Sequence, residues 1–148
     1  MDKINIFKMS CDDTLKIAEL EKECFSLPWS NDALLEEINN SNAHFFVAKN
    51  ESDELLGYIG CHFVLDEASI TNIAVFSKYR NKGVGKALLK ALLKEAQYSK
   101  ISKIYLEVRE NNTPAINLYK SMNFKEISVR KNFYSKPTEN ALILAFEF

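Results

Sequence analysis

The spacing of apolar and polar positions changes several times along the chain, and each change marks an element. Ile4 to Met9 alternates weakly, as a short strand does. Leu15, Ala18, Leu20 and Cys24 fall partly on one helical face, which predicts a helix from Cys11 to about Cys24 with Ser10 as its cap. Phe25-Ser26-Leu27-Pro28-Trp29 breaks it, and Ser30 reads as the N-cap of a second helix anchored by Ala33, Leu34 and Ile38. After the polar loop Asn39–Asn42, strands are predicted at Ala43–Lys49, Leu55–Leu65 and Ala68–Phe76, parted by turns at Asn50–Glu54 and Asp66-Glu67.

The helical period returns at Val84, Leu88, Ala91, Leu92 and Ala96, predicting a helix from about Gly83 to Tyr98. Ile104, Leu106 and Val108 then alternate within a strand from Lys103 to Arg109. Thr113 suits a cap and Pro114 a first helical position, so a helix carrying Ile116, Leu118 and Tyr119 runs to Met122-Asn123. Asparagine there suits a left-handed helix end. Phe124–Tyr134 and Ala141–Phe148 close the chain as strands. The expected architecture is α/β (α+β), a mixed sheet with helices on both faces, in a single domain spanning 1–148.

Composition narrows the function classes. A net charge of −1 argues against bulk nucleic-acid binding, and no apolar run is long enough to cross a bilayer. Cys11, Cys24 and Cys61 lack CxxC spacing and read as reduced thiols. His44 and His62 lack metal-ligand spacing and are assigned to strand packing, so no metal is expected. The first residues, Met1 to Asn5, lack the apolar core of a signal peptide. A soluble cytoplasmic protein is expected.

Two of only four glycines fall in one short turn, Tyr79-Arg80-Asn81-Lys82-Gly83-Val84-Gly85-Lys86, between a β-branched strand and a helix. A helix start offers unpaired N–H groups and roughly +0.5 charge, and is therefore a natural anion site. The dinucleotide pattern G-x-G-x-x-G lacks its third glycine here, and the nucleotide triphosphate pattern is absent.

The spacing R-x-x-G-x-G, at Arg80, Gly83 and Gly85, resembles the coenzyme A pyrophosphate loop of GNAT N-acetyltransferases. Leu106-Glu107-Val108-Arg109, continuing through Asn112 and Ala115 to Leu118-Tyr119, is similar to a segment of ribosomal-protein-alanine N-acetyltransferases, the RimI type. Asp66-Glu67-Ala68 with Asn72-Ile73-Ala74-Val75, and Phe25-Ser26-Leu27-Pro28-Trp29-Ser30, resemble the same group. Three departures stand beside these matches: Ser77 where proline is common, Asn123 for a glycine, and Asn140 for an acidic residue.

The resemblance implies the GNAT acyl-CoA N-acyltransferase fold, acetyl-CoA as cosubstrate, and a mostly antiparallel sheet in which one strand splays at a bulge. It implies pantetheine contacts at Ile73, Ala74 and Val75, and pyrophosphate contacts at the amides of Asn81, Lys82, Gly83, Val84, Gly85 and Lys86. Asn112 would bond the cofactor, with a plain turn residue before Thr113 as its alternative, and Trp29 and Tyr134 would wall a peptide groove, with core or rim packing as theirs. The implied partner is a ribosomal protein N-terminus, that of the eighteenth small-subunit protein, with no membrane and no direct nucleic-acid contact. Acetylation of other N-termini or of a small amine, and a non-catalytic coenzyme A module, are the alternatives.

A protein α-amine has a reference pKa of about 7.7–8.0 against about 10.4 for lysine, so a modest base suffices to keep it neutral. From spacing alone Glu107 is an ordinary half-exposed strand residue, paired with a lysine or arginine; the resemblance makes it the general base, directly or through water. Tyr119 reads by itself as a core aromatic, and the resemblance makes it the acid that protonates the departing thiolate.

Overall fold

A computed structural model describes residues 3–148; the first two residues, part of the stretch read above for a signal peptide, lie outside it. The elements in chain order are β1 (Asn5–Lys8), α1 (Thr14–Cys24), α2 (Asn31–Ile38), β2 (Ala43–Lys49), β3 (Leu55–Val64), β4 (Glu67–Val75), a 3-10 turn (Ser77–Tyr79), α3 (Val84–Tyr98), β5 (Lys103–Arg109), α4 (Thr113–Ser121), β6 (Lys125–Tyr134) and β7 (Glu139–Glu147). The strands form one seven-stranded sheet in the order β1-β2-β3-β4-β5-β7-β6. Every neighbouring pair is antiparallel except β4 and β5, which run parallel. The mixed, mostly antiparallel sheet expected from the sequence is the one observed.

Each face carries its own core. On one, Val84, Leu88, Leu89, Leu92 and Ala96 of α3 and Ile116 and Tyr119 of α4 pack on Ile104, Leu106 and Val108. On the other, Ile17 and Leu20 of α1 and Leu34 of α2 cover Phe45, Val47 and Tyr58. Fully burying a leucine or isoleucine stabilises by about 1.5–3 kcal/mol, so these stripes fix which helix face turns inward.

The sheet opens in the middle. Gly60 pairs with Asn72 while Cys61 pairs with Ile70, leaving Thr71 as an extra residue in β4. A bulge of this kind bends its strand away from the regular ladder. The parallel pairing of β4 with β5 covers only Glu67, Ala68 and Ser69 against Lys103, Ile104 and Tyr105. Beyond Ser69 and Tyr105 the strands separate.

Helix boundaries differ from expectation at two starts. α1 begins at Thr14 and not at Cys11, because the Asp13 carboxylate accepts from the Ser10 backbone N–H at 2.9 Å and from its hydroxyl at 3.3 Å. Asp13 also pairs with Lys49 at 2.9 Å. The inward stripe of α1 is therefore Thr14, Ile17, Leu20 and Glu21, and Leu15 is 71% exposed. α4 is capped by Asn112, whose side chain accepts from the Ala115 N–H at 3.3 Å, so Thr113 is its first residue and not its cap. Ser30 caps α2 as expected, accepting from Ala33 N–H at 3.1 Å, and Asn123 has φ +72° just beyond α4.

Candidate active site

The separation of β4 from β5 leaves a cleft of about 490 Å³ on the α3/α4 side of the opening. Ile73, Ala74 and Val75 form one wall, and Asn81, Gly83, Val84, Gly85 and Lys86 the floor at the start of α3. Asn112, Ala115, Leu118 and Tyr119 of the α4 segment close the other wall. Ten residues singled out in the sequence thus meet in one cavity.

α3 begins without a side-chain cap. Its first intrahelical bond within this turn runs from Ala87 N–H to the Gly83 carbonyl at 3.0 Å, so the helix itself leaves the N–H groups of Val84, Gly85 and Lys86 unclaimed. The two glycines serve different ends. Gly83 has φ +85° and empty space where a Cβ would stand, so its role is conformational. A Cβ on Gly85 would come within 3.1 Å of Leu118 Cδ2, so its role is the close approach of α3 to α4.

Arg80 does not enter the cleft as a free cation. Its Nε donates to the Val75 carbonyl at 3.1 Å and an Nη to Cys24 Sγ at 3.3 Å, which ties the loop to the end of β4. Cys24 and Phe25 also line the cleft, a place the sequence did not assign to them. Their signal is positional: the C-terminus of α1 points at the loop. Lys82 is exposed and is not among the lining residues; Lys90 and Lys94 lie on the outer face of α3.

Tyr119 is 4% exposed and makes no side-chain hydrogen bond to any described residue. Burial, with Tyr134 nearby, holds its phenol above the ordinary value, so it stays protonated through the neutral range.

Glu107, Tyr134 and Trp29 lie outside this cavity. Glu107 projects from the opposite side of β5 to Leu106 and Val108, as its spacing predicts. Its carboxylate accepts from Arg130 Nη1 at 3.0 Å, and that guanidinium lies 4.4 Å from the Phe133 ring centroid. Tyr134 sits under Arg109, 4.4 Å from guanidinium to ring. Its phenol is pushed up to about 12, first by burial and next by the charge of Glu107, while Arg109 opposes the rise. Arg109 also donates to the carbonyls of Pro137 (3.0 Å) and Ser135 (3.2 Å) and pairs with Glu139 at 3.3 Å. Glu139 in turn accepts from Asn111 N–H at 2.7 Å. This clamp fixes the β6–β7 turn against β5.

The Trp29 ring packs 5.8 Å from Phe45, and the Trp29 backbone N–H donates to Glu21 at 2.9 Å. His44 and His62 are more than strand packing: they contact Glu95 at 3.3 Å and Glu37 at 2.6 Å. Among the described residues no group of three or more His, Cys, Asp or Glu is set to hold a metal, and no helix is long and apolar enough to cross a membrane.

The cleft is thus built from an opened parallel strand pair beside an uncapped helix start. The chain belongs to the acetyltransferase (GNAT) family, whose model matches residues 14–124, and within it to the ribosomal-protein-alanine N-acetyltransferase (RimI) type. It is 39% identical over 137 residues to the [ribosomal protein bS18]-alanine N-acetyltransferase of Haemophilus ducreyi, covering 90% of this chain and 92% of that one. It is 34% identical to the enzyme of the same name from Haemophilus influenzae, covering 95% and 96%. Among solved structures, the Escherichia coli ribosomal-protein-S18-alanine N-acetyltransferase superposes with a TM-score of 0.88 at 29% identity, covering 98% of this chain and 94% of that one. Arabidopsis thaliana NAA60 with a bisubstrate analogue gives 0.90 at 20% identity, a likeness of fold, covering 98% of each chain.

Proposed function

We propose that this protein transfers the acetyl group of acetyl-CoA to the α-amine of an N-terminal alanine on the ribosomal protein bS18, the substrate for which its relatives are named. The observation that carries the reading is the opening between β4 and β5, with unclaimed N–H groups of α3 on one side and Glu107 on the other. The cleft suits acetyl-CoA: the helix start takes the pyrophosphate, and Ile73–Val75 offer strand backbone to pantetheine.

When bound, acetyl-CoA supplies the thioester. The incoming amine forms an N–C bond to its carbonyl carbon as the C–S bond breaks. Glu107 takes the amine proton, directly or through one water, and Tyr119 gives its proton to the departing thiolate. A phenol held above its usual pKa is a weak acid in water, and exclusion of water by the bound substrates would raise the basicity of the departing thiolate as well. Backbone N–H groups near Val75 would polarise the thioester carbonyl, and positioning supplies the remaining rate.

Incubation with acetyl-CoA and an alanine-starting bS18 peptide, followed by mass spectrometry, is expected to place the acetyl group on the α-nitrogen. Modification confined to lysine side chains, or transfer to polyamines with none to the peptide, would reject the substrate assignment.

A further inference from the structure

The most completely buried charged side chain of the protein takes no part in the chemistry above. Glu21 of α1 is 0% exposed, yet its carboxylate accepts four hydrogen bonds from three donors. Oε2 takes the Tyr58 hydroxyl at 2.7 Å and Asn72 Nδ2 at 3.0 Å; Oε1 takes Trp29 N–H at 2.9 Å and Asn72 Nδ2 at 3.1 Å. Asn72 Nδ2 also reaches the Tyr58 oxygen at 3.2 Å. Replacing a buried charge network by apolar residues is often neutral or stabilising, so stability alone does not account for this one.

What the network fixes is the direction of the Asn72 amide. With Nδ2 committed to the carboxylate, Oδ1 must face away from it. Oδ1 accepts no hydrogen bond from any described residue, and it is not sealed, since the sealed side-chain atoms without partners are Asn31 Oδ1 and Thr71 Oγ1. A carbonyl oxygen is thus held next to the bulge with no donor from the described residues on it.

Its position relative to Glu107 follows from the strand register. Ser69 is level with Tyr105 in the parallel pair, and Thr71 is the extra residue of the bulge. Counting on from that pair, Asn72 comes level with Glu107 on the facing strand. Both side chains lie on the α1/α2 face: Asn72 bonds to α1, and Glu107 points away from the α3/α4 core that holds Leu106 and Val108. The two acceptors therefore stand on opposite banks of the opening.

We propose that Asn72 Oδ1 is the second acceptor for the substrate amine, opposite Glu107, and that Glu21 and Tyr58 are the positioning residues that aim it. A primary amine attacking the thioester carries two N–H bonds beside its nucleophilic lone pair. Glu107 receives one proton, and Asn72 Oδ1 holds the other N–H, which directs the lone pair toward the cofactor side of the sheet. No proton moves to Asn72. The idea rests on the acetyl-transfer reading, but not on which amine is the substrate.

The test compares the wild-type enzyme with Asn72→Ala, Glu21→Gln and the double variant. Asn72→Ala is expected to lower kcat/KM for the alanine-starting peptide by about tenfold to a hundredfold, the size of one hydrogen bond to a charged group, with acetyl-CoA binding unchanged by calorimetry. Glu21→Gln is expected to lower it less, and the double variant to be no worse than Asn72→Ala alone, because Glu21 acts through Asn72. Asn72→Ser, which shortens the side chain and keeps the bulge, serves if the alanine variant loses acetyl-CoA binding. Unchanged kcat/KM in the Asn72 variant that binds acetyl-CoA overturns the proposal. Additive losses in the double variant overturn the positioning role. Failure of the wild-type enzyme on the peptide, with transfer to another amine, rejects only the substrate, and the same variants are then scored on that amine. Failure on every amine rejects both.

Discussion

The two banks of the opened sheet are built in different ways. The β4–α3 bank is assembled from neighbours in sequence: a strand end, a glycine turn and a helix start lie within Ile73–Lys86, and their working groups are mostly backbone N–H. The β5–β6–β7 bank is assembled from side chains far apart in the chain, Glu107 with Arg130, and Arg109 with Ser135, Pro137 and Glu139. The first suits a ligand common to all reactions of the class, because backbone geometry is insensitive to most substitutions. The second suits a variable protein substrate, because each side-chain pair can change independently. Cofactor affinity should therefore reside on one bank and peptide affinity on the other, with Asn72 of β4 the exception proposed above.

The largest test strikes the chemistry between them. Glu107→Gln and Tyr119→Phe are each expected to reduce kcat by about 10²–10⁴-fold, the usual worth of a positioned acid or base. Acetyl-CoA binding should persist in both, measured by calorimetry, because Glu107 lies outside the cleft and Tyr119→Phe keeps the ring that closes its wall. Unchanged turnover in either variant removes that residue from the mechanism.

A smaller effect should separate the banks. Gly85→Val pushes a branched side chain toward Leu118, where even a Cβ stands at 3.1 Å. Its cost, about 1–3 kcal/mol if α3 and α4 move apart, is expected to appear in KM for acetyl-CoA and not in KM for peptide. Arg109→Ala should do the reverse: the β6–β7 turn loses three hydrogen bonds and the ring contact to Tyr134, and peptide KM rises about tenfold. If both variants change the same KM, the division between the banks is wrong.

This division also explains what could be read in the sequence. The strand end, the glycine turn and the helix start up to Lys86 were legible because periodicity and glycine spacing are local signals, whereas a ligand role for Ile73–Val75 came only with the family resemblance. Glu107 and Tyr119 could be placed on the correct faces, but their partners could not: Arg130 is a surface arginine in an exposed strand until β6 folds beside β7. Glu21 was hidden for a different reason. The helix containing it was expected to start at Cys11, capped by Ser10, and to turn Leu15 inward, whereas Asp13 takes up the cap and the true stripe runs through Thr14, Ile17, Leu20 and Glu21. A charged residue in register with Ile17 and Leu20 was the available signal.

The smallest expected effect concerns that same glutamate and requires no substrate. Burial holds the Glu21 carboxyl above its ordinary value of 4.5, only partly offset by the hydrogen bonds from Trp29, Tyr58 and Asn72. The folded protein consequently binds a proton at Glu21 more readily than the unfolded chain does. Stability must then decline as pH rises from the unfolded value through the raised folded one, and level off above it. Glu21→Gln removes this titration while keeping the side-chain volume. The wild-type unfolding free energy minus that of Glu21→Gln, from urea melts at matched pH, is expected to fall across that window. The sign of the slope carries the test, since the other carboxylates titrate equally in both proteins and cancel. A difference that is flat or rises with pH would mean that the network fully stabilises the ionised carboxylate against burial. Asn72 would then face a carboxylate already charged when the chain folds, and the α1–β4 contact would carry no stability cost at this position.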